Sequence, residues 1–364
     1  METAKIAIMS SWKACCGVSI HAELVGGALL REGHELTVYA PMQYEDDKTR
    51  LFFAPDEEFV TRNYSFLRYG DQCADTALLD ALYLDPEPML DEDFDLFIVE
   101  KPTSTPLGRL LEVLPEIRRK ARTMAVIHEG SMPTNPFFQK MGWDAVAVFD
   151  ERYKALFSPV IPGGRMHIIP FPCHPVDRRN KFEARKKLKL PREAEIVFSF
   201  GRLHDPEMVL KTLDGLRAGR PELLYLYLAG DPERYMAMKA LGREYEFLEV
   251  RFGRPPTEEL YDYLGAADAL VFNRTPPPHI AVSSSVHLCL GALTPILCSD
   301  VAYFETFGDE LIKYRNAAEL ETELHAVLEG RAADVSIQAQ RFLDQRSAHV
   351  IAERILEVGL GCES

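Results

Sequence analysis

Residues 195–228, EIVFSFGRLHDPEMVLKTLDGLRAGRPELLYLYL, contain the pattern that decides the fold. An apolar run is followed by Gly201 and Arg202, then by an amphipathic stretch over residues 207–217, and then by a second apolar run. Both runs are apolar along most of their length, which is typical of parallel strands covered on two faces. The stretch therefore predicts a strand–helix–strand unit with a right-handed crossover.

The same order recurs along the chain in two sets, separated by the Pro-rich and charged residues 170–181. We therefore predict an α/β protein with two Rossmann-like, doubly wound parallel-sheet domains, at residues 1–172 and 177–344. A last helix at 347–360 is expected to pack back on the first domain. The predicted strands are 5–9, 35–39, 95–99, 123–127, 145–149 and 167–169, then 195–200, 223–228, 248–252, 269–272 and 295–298. The predicted helices include 21–31, 107–120, 207–217, 257–266 and 318–328.

Residues 44–95 interrupt this alternation of strands and helices and are rich in Asp and Glu. They predict an insertion of helices and irregular loops after the second strand. An acidic, solvated surface is the simplest interpretation, and selection of an acceptor is the alternative.

The overall charge limits the partners of the protein. The chain has 364 residues and a formal net charge of −15, which argues against binding to nucleic acid through phosphate contacts. The basic clusters at 118–122 and 178–187 are typical of solvated helix faces, with peripheral membrane contact as the alternative. No apolar run reaches the ~18 residues needed to span a bilayer, and no secretory signal is visible. A cytoplasmic location is expected.

The seven cysteines do not predict a metal or redox motif. Their number is odd and no C-x-x-C pair occurs, and the adjacent Cys15 and Cys16 are poorly placed to chelate one ion together. His279 and His287, eight residues apart, are also an improbable metal site. We therefore predict that most of the thiols fill the core and that no metal is bound.

Candidate site residues in the first domain follow its strands. Gly17 lies between the first strand and the first helix, where backbone amides favour anions; no G-x-G-x-x-G is present, and a plain tight turn is the alternative. His128 ends another strand, where it could accept a proton or bind a substrate hydroxyl, or serve only a structural role. Glu100 and Lys101 end a third strand, with the same alternatives.

In the second domain, Gly201 and Arg202 directly follow a strand, and the planar guanidinium of Arg202 suits a diphosphate. Lys211 lies on the following helix and either binds the same ligand or decorates the helix surface. The pair Gly230 and Asp231 is predicted to form a turn.

Residues 272–300, FNRTPPPHIAVSSSVHLCLGALTPILCSD, place a Pro-rich loop and three serines before a short helix. Ser283, Ser284 and Ser285 offer hydroxyls and helix amides to a phosphate, and capping alone is the alternative.

Taken in order, several stretches resemble the retaining GT-B glycosyltransferases of family 4, over nearly the whole chain apart from 44–95. The resemblance implies two Rossmann-like domains with an interdomain cleft, and a nucleotide diphosphate sugar held mainly by the second domain. These stretches are CGVSIHAELVGGALLREGHELTVYA (16–40), GRL (201–203), AGDPE (229–233), RFGRPPTEELYDYLGAADALVFNR (251–274) and QAQRFLDQRSAHVIAERILEVG (338–359).

The resemblance also implies roles for individual residues. Gly17 corresponds to the glycine loop near the donor phosphates, Arg202 to the arginine that contacts the diphosphate, and His128 to the strand-end histidine near the sugar. These roles make Arg202 and His128 the catalytic candidates. Gly17, Gly201, Arg202, Lys211 and Ser283, Ser284 and Ser285 are the candidates for donor binding.

The chain departs from the family at two places. The lysine usually found five or six residues after the arginine is replaced by Glu207 and Met208, so Lys211 is the nearest substitute. The usual pair of glutamates spaced eight apart is replaced by Ile280 and Leu288.

From these features we expect a retaining hexosyltransferase that needs no cofactor or divalent metal. Its acceptor is a sugar, a lipid-linked sugar or a small molecule that the sequence does not identify. The alternatives are a non-catalytic nucleotide-sugar-binding protein and a sugar-nucleotide epimerase.

Overall fold

The computed structural model of the protein describes residues 3–42, 55–68 and 70–362. Its strands are β1 (Lys5–Met9), β2 (Glu35–Pro41), β3 (Val60–Tyr64), β4 (Leu96–Glu100), β5 (Arg122–Val126), β6 (Ala145–Val148), β7 (Met166–Ile168), β8 (Glu195–Phe200), β9 (Leu223–Ala229), β10 (Leu248–Phe252), β11 (Ala269–Phe272), β12 (Ile296–Ser299) and β13 (Ile312–Tyr314).

The α-helices within the described residues lie between and after these strands in the sequence. They are α1 (Gly17–Arg31), α2 (Thr76–Asp80), α3 (Glu87–Asp91), α4 (Leu107–Lys120), α5 (Glu151–Phe157), α6 (Lys181–Leu188), α7 (Pro206–Arg217), α8 (Pro232–Leu241), α9 (Thr257–Ala266), α10 (Ser284–Cys289), α11 (Ala317–Leu328), α12 (Ala333–Arg346) and α13 (Ala348–Leu360). None of the helices that the structure describes is long and apolar enough to cross a membrane.

The chain divides into two compact units. The first comprises Met1–Pro172, His279–Ser284 and Arg346–Ser364, and the second comprises Cys173–Pro278 and Ser285–Gln345.

Residues 279–284 belong to the first unit in the structure, whereas the sequence analysis placed them in the second domain. The amide of Ile280 donates to the carbonyl of Gly130 at 3.0 Å, and the guanidinium of Arg152 donates to the carbonyl of Ala281 at 3.3 Å. These long-range hydrogen bonds tie the segment to the first unit.

The sheet of the first unit is parallel throughout, with the strand order β3-β2-β1-β4-β5-β6-β7. Strand β4 is buried along its whole length, as expected for a central strand covered on both faces. Helix α13 packs against α1, and the Nε of Arg122 donates to the carbonyl of Gly359 at 2.7 Å.

The sheet of the second unit is also parallel, with the order β10-β9-β8-β11-β12-β13. Both sheets therefore have the doubly wound order in which the first strand lies beside the fourth. In such sheets ligands bind outside the carboxyl ends of the strands, where the strand order reverses. That point lies between β1 and β4 in the first unit and between β8 and β11 in the second.

The predicted fold class is confirmed. Each strand predicted from the sequence is present, with ends that differ by at most two residues. The sequence analysis missed β3, which lies inside the predicted insertion, and β13. Residues 44–54 of that insertion lie outside the described residues, as does residue 69.

Candidate functional site

In the first unit, three side chains meet where the strand order of the sheet reverses. Glu100 is the last residue of β4, His128 lies two residues after β5, and His21 is on α1, the helix that follows β1. The Nδ1 of His21 is 2.8 Å from Oε1 of Glu100. The Nε2 of His128 is 2.6 Å from Oε2 of the same carboxylate.

These three side chains are almost fully enclosed. The side chains of His21 and Glu100 are each 1% exposed, and that of His128 is 8% exposed. Phe149 and Phe171 line both imidazoles: the ring centroid of Phe149 is 4.9 Å from that of His128, and the ring centroid of Phe171 is 5.2 Å from that of His21. The carboxylate of Glu100 is therefore shielded from water, and the two imidazoles supply its hydrogen bonds.

The enclosure shifts the protonation of the cluster. Burial by itself raises the pKa of Glu100, but the influence of His21 and the hydrogen bonds from both imidazoles outweigh it and hold that pKa below its ordinary value. Burial lowers the pKa of His128 against the opposing effect of Glu100. An ionised carboxylate facing a neutral His128 is the resulting state at neutral pH.

The same three residues are the only described group whose His, Cys and carboxylate atoms cluster as metal ligands would, within 4.8 Å of one another. Two atoms bound to one tetrahedral zinc ion stand ~3.3 Å apart, given bond lengths near 2.0 Å. The separations of 2.8 and 2.6 Å at Glu100 are instead hydrogen-bond lengths. The arrangement fits two imidazoles hydrogen-bonded to one carboxylate better than it fits a metal centre.

The loop after β1 brings Gly17 next to the segment 279–284. Gly17 is the first residue of α1, and that helix has no side-chain N-cap. A Cβ atom built at Gly17 would lie 2.9 Å from the Oγ of Ser284, so a larger residue there would force the serine side chain to shift. The structure therefore brings Gly17 and Ser284 together within the first unit. Ser283 is buried, and Ser284 and Ser285 are partly exposed.

Three non-glycine residues with a left-handed backbone conformation also lie in the loops that follow strands, at the carboxyl ends of the two sheets. Lys13, Lys101 and Asp205 have φ of 49°, 48° and 43° and come after β1, β4 and β8. Such conformations cost of order 1–3 kcal/mol each and concentrate at ligand-binding sites. Their placement beside the points of strand reversal is consistent with a binding role for both edges.

In the second unit, three arginines form a positively charged cluster at the carboxyl edge of the sheet. Arg202 follows β8, Arg234 is in the first turn of α8 after β9, and Arg274 follows β11. Burial, together with the charges of Arg202 and Arg234, lowers the pKa of Arg274 to about 10. All three charges also lower the pKa of His204, for which burial is the largest cause.

The positive charge of this cluster is only partly neutralised. Arg234 pairs with Asp231, the N-cap residue of α8. Within the described part of the chain, neither Arg202 nor Arg274 forms a salt bridge. Arg202 is exposed, whereas Arg274 is half-buried. Because a half-buried guanidinium without a counter-ion is costly, an anion beside Arg274 would be favoured.

Hydrogen bonds hold the two loops that carry Arg202 and Arg274. The amide of His204 donates to the carbonyl of Asn273 at 3.0 Å, and the side chain of Asn273 donates back to the carbonyl of His204 at 2.7 Å. The Oγ of Ser299 accepts from the amide of Arg274 at 2.8 Å. These hydrogen bonds hold the backbones of the two loops together.

The remaining predicted residues have distinct surroundings. Gly201 has φ of 68°, the left-handed region that favours glycine, and its carbonyl accepts from the hydroxyl of Tyr227 at 2.5 Å. Lys211 is exposed and lies 3.5 Å from Glu207 one helical turn away. Its contact with a donor stays a prediction, as do those of the three serines.

Sequence reasoning missed three residues of these clusters. Arg274 stands at a strand end inside the quoted stretch 272–300 and carried the same signal as Arg202. Arg234 follows the strand-end pair Gly230 and Asp231 by three residues. His21 had no sequence signal, because only the fold shows that α1 turns it towards Glu100.

The fold is shared with several solved structures of glycosyltransferases. Sucrose-phosphate synthase from Thermosynechococcus elongatus superposes with a TM-score of 0.67 at 16% identity, covering 98% of each chain. Anabaena HepE in complex with UDP and glucose gives 0.63 at 14% identity, covering 97% of this chain and 98% of that one.

An E. coli trehalose-6-phosphate structure bound with UDP-2-fluoro glucose gives a TM-score of 0.62 at 12% identity, covering 98% of this chain and 99% of that one. No protein-family model matches the sequence. At these identities the similarity establishes the architecture only. The chain therefore has the fold of the GT-B glycosyltransferases, with two parallel-sheet units.

Proposed function

We propose that the protein is a retaining glycosyltransferase that transfers a hexose from a nucleoside diphosphate sugar to an acceptor. The observation that carries this proposal is the cluster of Arg202, Arg234 and Arg274 at the point of strand reversal in the second unit. The shared fold supports it, because the solved structures with this fold include complexes with UDP and UDP-glucose. UDP-glucose is therefore the first donor to test.

In this proposal Arg202 and Arg274 bind the diphosphate. Negative charge develops on the leaving diphosphate in the transition state, and fixed cations placed there lower the barrier. Arg274 takes the place of the lysine that the resembling family carries after its arginine. The guanidinium groups supply the charge that a divalent ion would otherwise supply, so transfer is expected to persist in EDTA.

The first unit contributes His128 and Gly17. The backbone amide of Gly17 opens α1, whose N-terminal end is positively polarised and favours phosphate oxygens. His128 is neutral, and it accepts a hydrogen bond from a hydroxyl of the transferred sugar. Retention of configuration is carried over from the resemblance.

The arginine roles are tested by Arg202→Ala and Arg274→Ala. Each removes a charge-assisted contact worth about 1.5–3 kcal/mol, so we expect UDP affinity to fall roughly 10- to 100-fold and transfer to fall further. Calorimetry with UDP and a product assay with UDP-glucose over an acceptor panel measure the two effects.

Arg192→Ala is the matched control. Arg192 precedes β8, at the opposite edge of the sheet, and pairs with Glu193. We expect it to leave both quantities unchanged. Wild-type affinity and transfer in both Arg202→Ala and Arg274→Ala would refute the proposed site.

A non-catalytic binding protein is a second candidate. It is favoured by the replacement of the usual glutamate pair with Ile280 and Leu288, the latter 6% exposed. Tight binding of UDP-glucose with neither transfer nor hydrolysis over the acceptor panel would favour it over the enzyme. Conversion of the free donor without an acceptor would instead indicate an epimerase.

A further inference from the structure

Each oxygen of the Glu100 carboxylate faces a different imidazole nitrogen. Oε1 is 2.8 Å from Nδ1 of His21, and Oε2 is 2.6 Å from Nε2 of His128. An ionised carboxylate can only accept hydrogen bonds, whereas a neutral imidazole has one donor nitrogen and one acceptor nitrogen. Each ring must therefore carry a proton on the nitrogen that faces Glu100, and in the neutral ring of His128 this leaves Nδ1 as the acceptor.

We propose that Glu100 and His21 are positioning residues that hold His128 as its Nε2–H tautomer, so that Nδ1 is left as the acceptor of that ring. The tautomer follows from the contacts of the first unit alone. Its consequence for sugar transfer rests on the proposed function.

His21 has a specific part in this arrangement. A buried carboxylate with a single donor tends to take up a proton, because burial disfavours the charged form. A protonated Glu100 could donate to Nε2 of His128 and move the ring proton to Nδ1, which is the opposite tautomer. The second donor, Nδ1 of His21, stabilises the ionised carboxylate and so prevents this reversal.

The surroundings of His128 offer few other charges that could set its state. Glu100 comes from β4, His21 from α1, and Lys101 from the loop after β4, and all three shift the pKa of the ring. The carboxylate of Glu129 accepts from the backbone amide of His128 at 3.1 Å. The rings of Phe149 and Phe171 lie edge-on to the His128 ring, with centroids 4.9 and 6.4 Å from its own. Because the aromatic neighbours cannot exchange protons, the tautomer depends on Glu100.

The tautomer is measured by nitrogen NMR of the protein labelled with 15N-histidine, without donor, between about pH 6 and pH 8. In the wild type we expect the two ring nitrogens of His128 to have the shifts of a neutral Nε2–H imidazole. In Glu100→Gln the side chain has one acceptor and one donor, so one of the two imidazoles must change tautomer. If the ring-nitrogen signals of both His21 and His128 are unchanged in Glu100→Gln, the proposal is overturned.

A pair of variants at His21 tests the same point if Glu100→Gln does not fold. His21→Asn keeps an N–H donor close to the position of Nδ1 and is expected to preserve the Nε2–H tautomer of His128. His21→Phe keeps the aromatic packing but removes the donor, and we expect His128 to populate the Nδ1–H tautomer. Equal tautomer populations in the two variants overturn the role of His21.

Glu23→Gln is the matched control on α1. This carboxylate accepts from the amide of Lys13 at 3.0 Å and from the hydroxyl of Ser19, but from neither imidazole. We expect no change in the His128 signals. Binding of added Zn²⁺ by the wild type, with displacement of both imidazole signals, would show a metal site and would overturn the proposal.

Activity separates positioning from general structural support. We expect Glu100→Gln and His21→Phe to lower the kcat for transfer from UDP-glucose about 10- to 100-fold, with a smaller change in donor KM, and His21→Asn to restore it. Full activity in His21→Phe with an altered tautomer overturns the functional part of the proposal. A fixed tautomer in a wild type that transfers no sugar contradicts the proposed function instead and leaves the positioning intact.

Discussion

At the scale of single residues, the Glu100 cluster and the arginine cluster differ in how their charges are compensated. In the first unit Glu100 is enclosed and fully satisfied by His21 and His128. In the second unit Arg274 is half-buried beside two like charges, and its pKa falls to about 10, mainly through burial. The first cluster is complete without a ligand, whereas the second gains most from an incoming anion.

The low pKa of His128 predicts that acid destabilises the folded protein. The unfolded histidine has a pKa of about 6.5 and binds a proton below it, whereas the folded ring, shifted downwards by burial, does not. This contribution to stability is present above about pH 6.5 and is lost as the pH falls towards the folded pKa, by up to about 1.4 kcal/mol per pH unit.

His128→Gln tests this prediction, because the glutamine amide can still donate to Glu100 but does not titrate. We expect its melting temperature to fall less than that of the wild type between about pH 7 and pH 5. Parallel losses in the two proteins would contradict the assignment.

The residue-level clusters were only partly predictable. His128, Glu100, Gly201 and Arg202 could be singled out because a polar residue directly after an apolar run marks a strand end. His21 lies inside a helix, where the direction of a side chain depends on how that helix packs, and a sequence pattern does not contain that information.

At the scale of elements, the central strands of each sheet were easier to predict than the edge strands β3 and β13. Central strands such as β4 and β8 are apolar along most of their length, since helices cover both faces. The edge strands β3 and β13 are short and partly exposed, so their sequences, VTRNY and IKY, carry little apolar signal.

Helix α13 depends on a glycine at its contact with β4. A Cβ atom at Gly359 would lie 2.6 Å from a methyl group of Leu96, which is fully buried. Gly359→Ala is therefore expected to destabilise the protein by about 1–3 kcal/mol through overpacking, measured as a lower melting temperature.

The same substitution in another helix provides the comparison. Gly215 lies in α7 and is exposed, and the nearest atom to an added Cβ is a carboxylate oxygen of Glu321 at 3.8 Å. Gly215→Ala is expected to stabilise the protein by up to about 1 kcal/mol, the difference in helix propensity. Equal shifts in both variants would exclude packing as the cause.

At the scale of the whole molecule, a bound donor should stabilise the fold. The net charge of −15 does not favour anions in general, so the proposal assigns donor binding to the local arginine cluster. UDP-glucose at ~100 times its dissociation constant is expected to add about 2.7 kcal/mol of stability. Differential scanning fluorimetry measures the effect as a rise in melting temperature.

Uridine at the same concentration is the control for that measurement, since it lacks the diphosphate. We expect it to shift the melting temperature much less than UDP-glucose. The shift caused by UDP-glucose should also shrink in Arg274→Ala. Equal shifts from uridine and UDP-glucose would place the binding energy elsewhere than on the arginines.

The division into units was the least predictable level. Residues 279–284 follow the strand β11 of the second unit in sequence, yet their hydrogen bonds join them to the first unit. Local patterns report periodicity and turns, whereas such an exchange depends on contacts between residues more than a hundred positions apart.

The discontinuity of the first unit has a consequence for biosynthesis. Chains grow from the N-terminus, and domains commonly fold as they leave the ribosome. Here β4 ends at Glu100, whereas α13, which packs on α1, begins only at Ala348. The core around α1 and β4 therefore cannot close until α13 has been translated, and a nascent chain would expose apolar surface to chaperones throughout that interval.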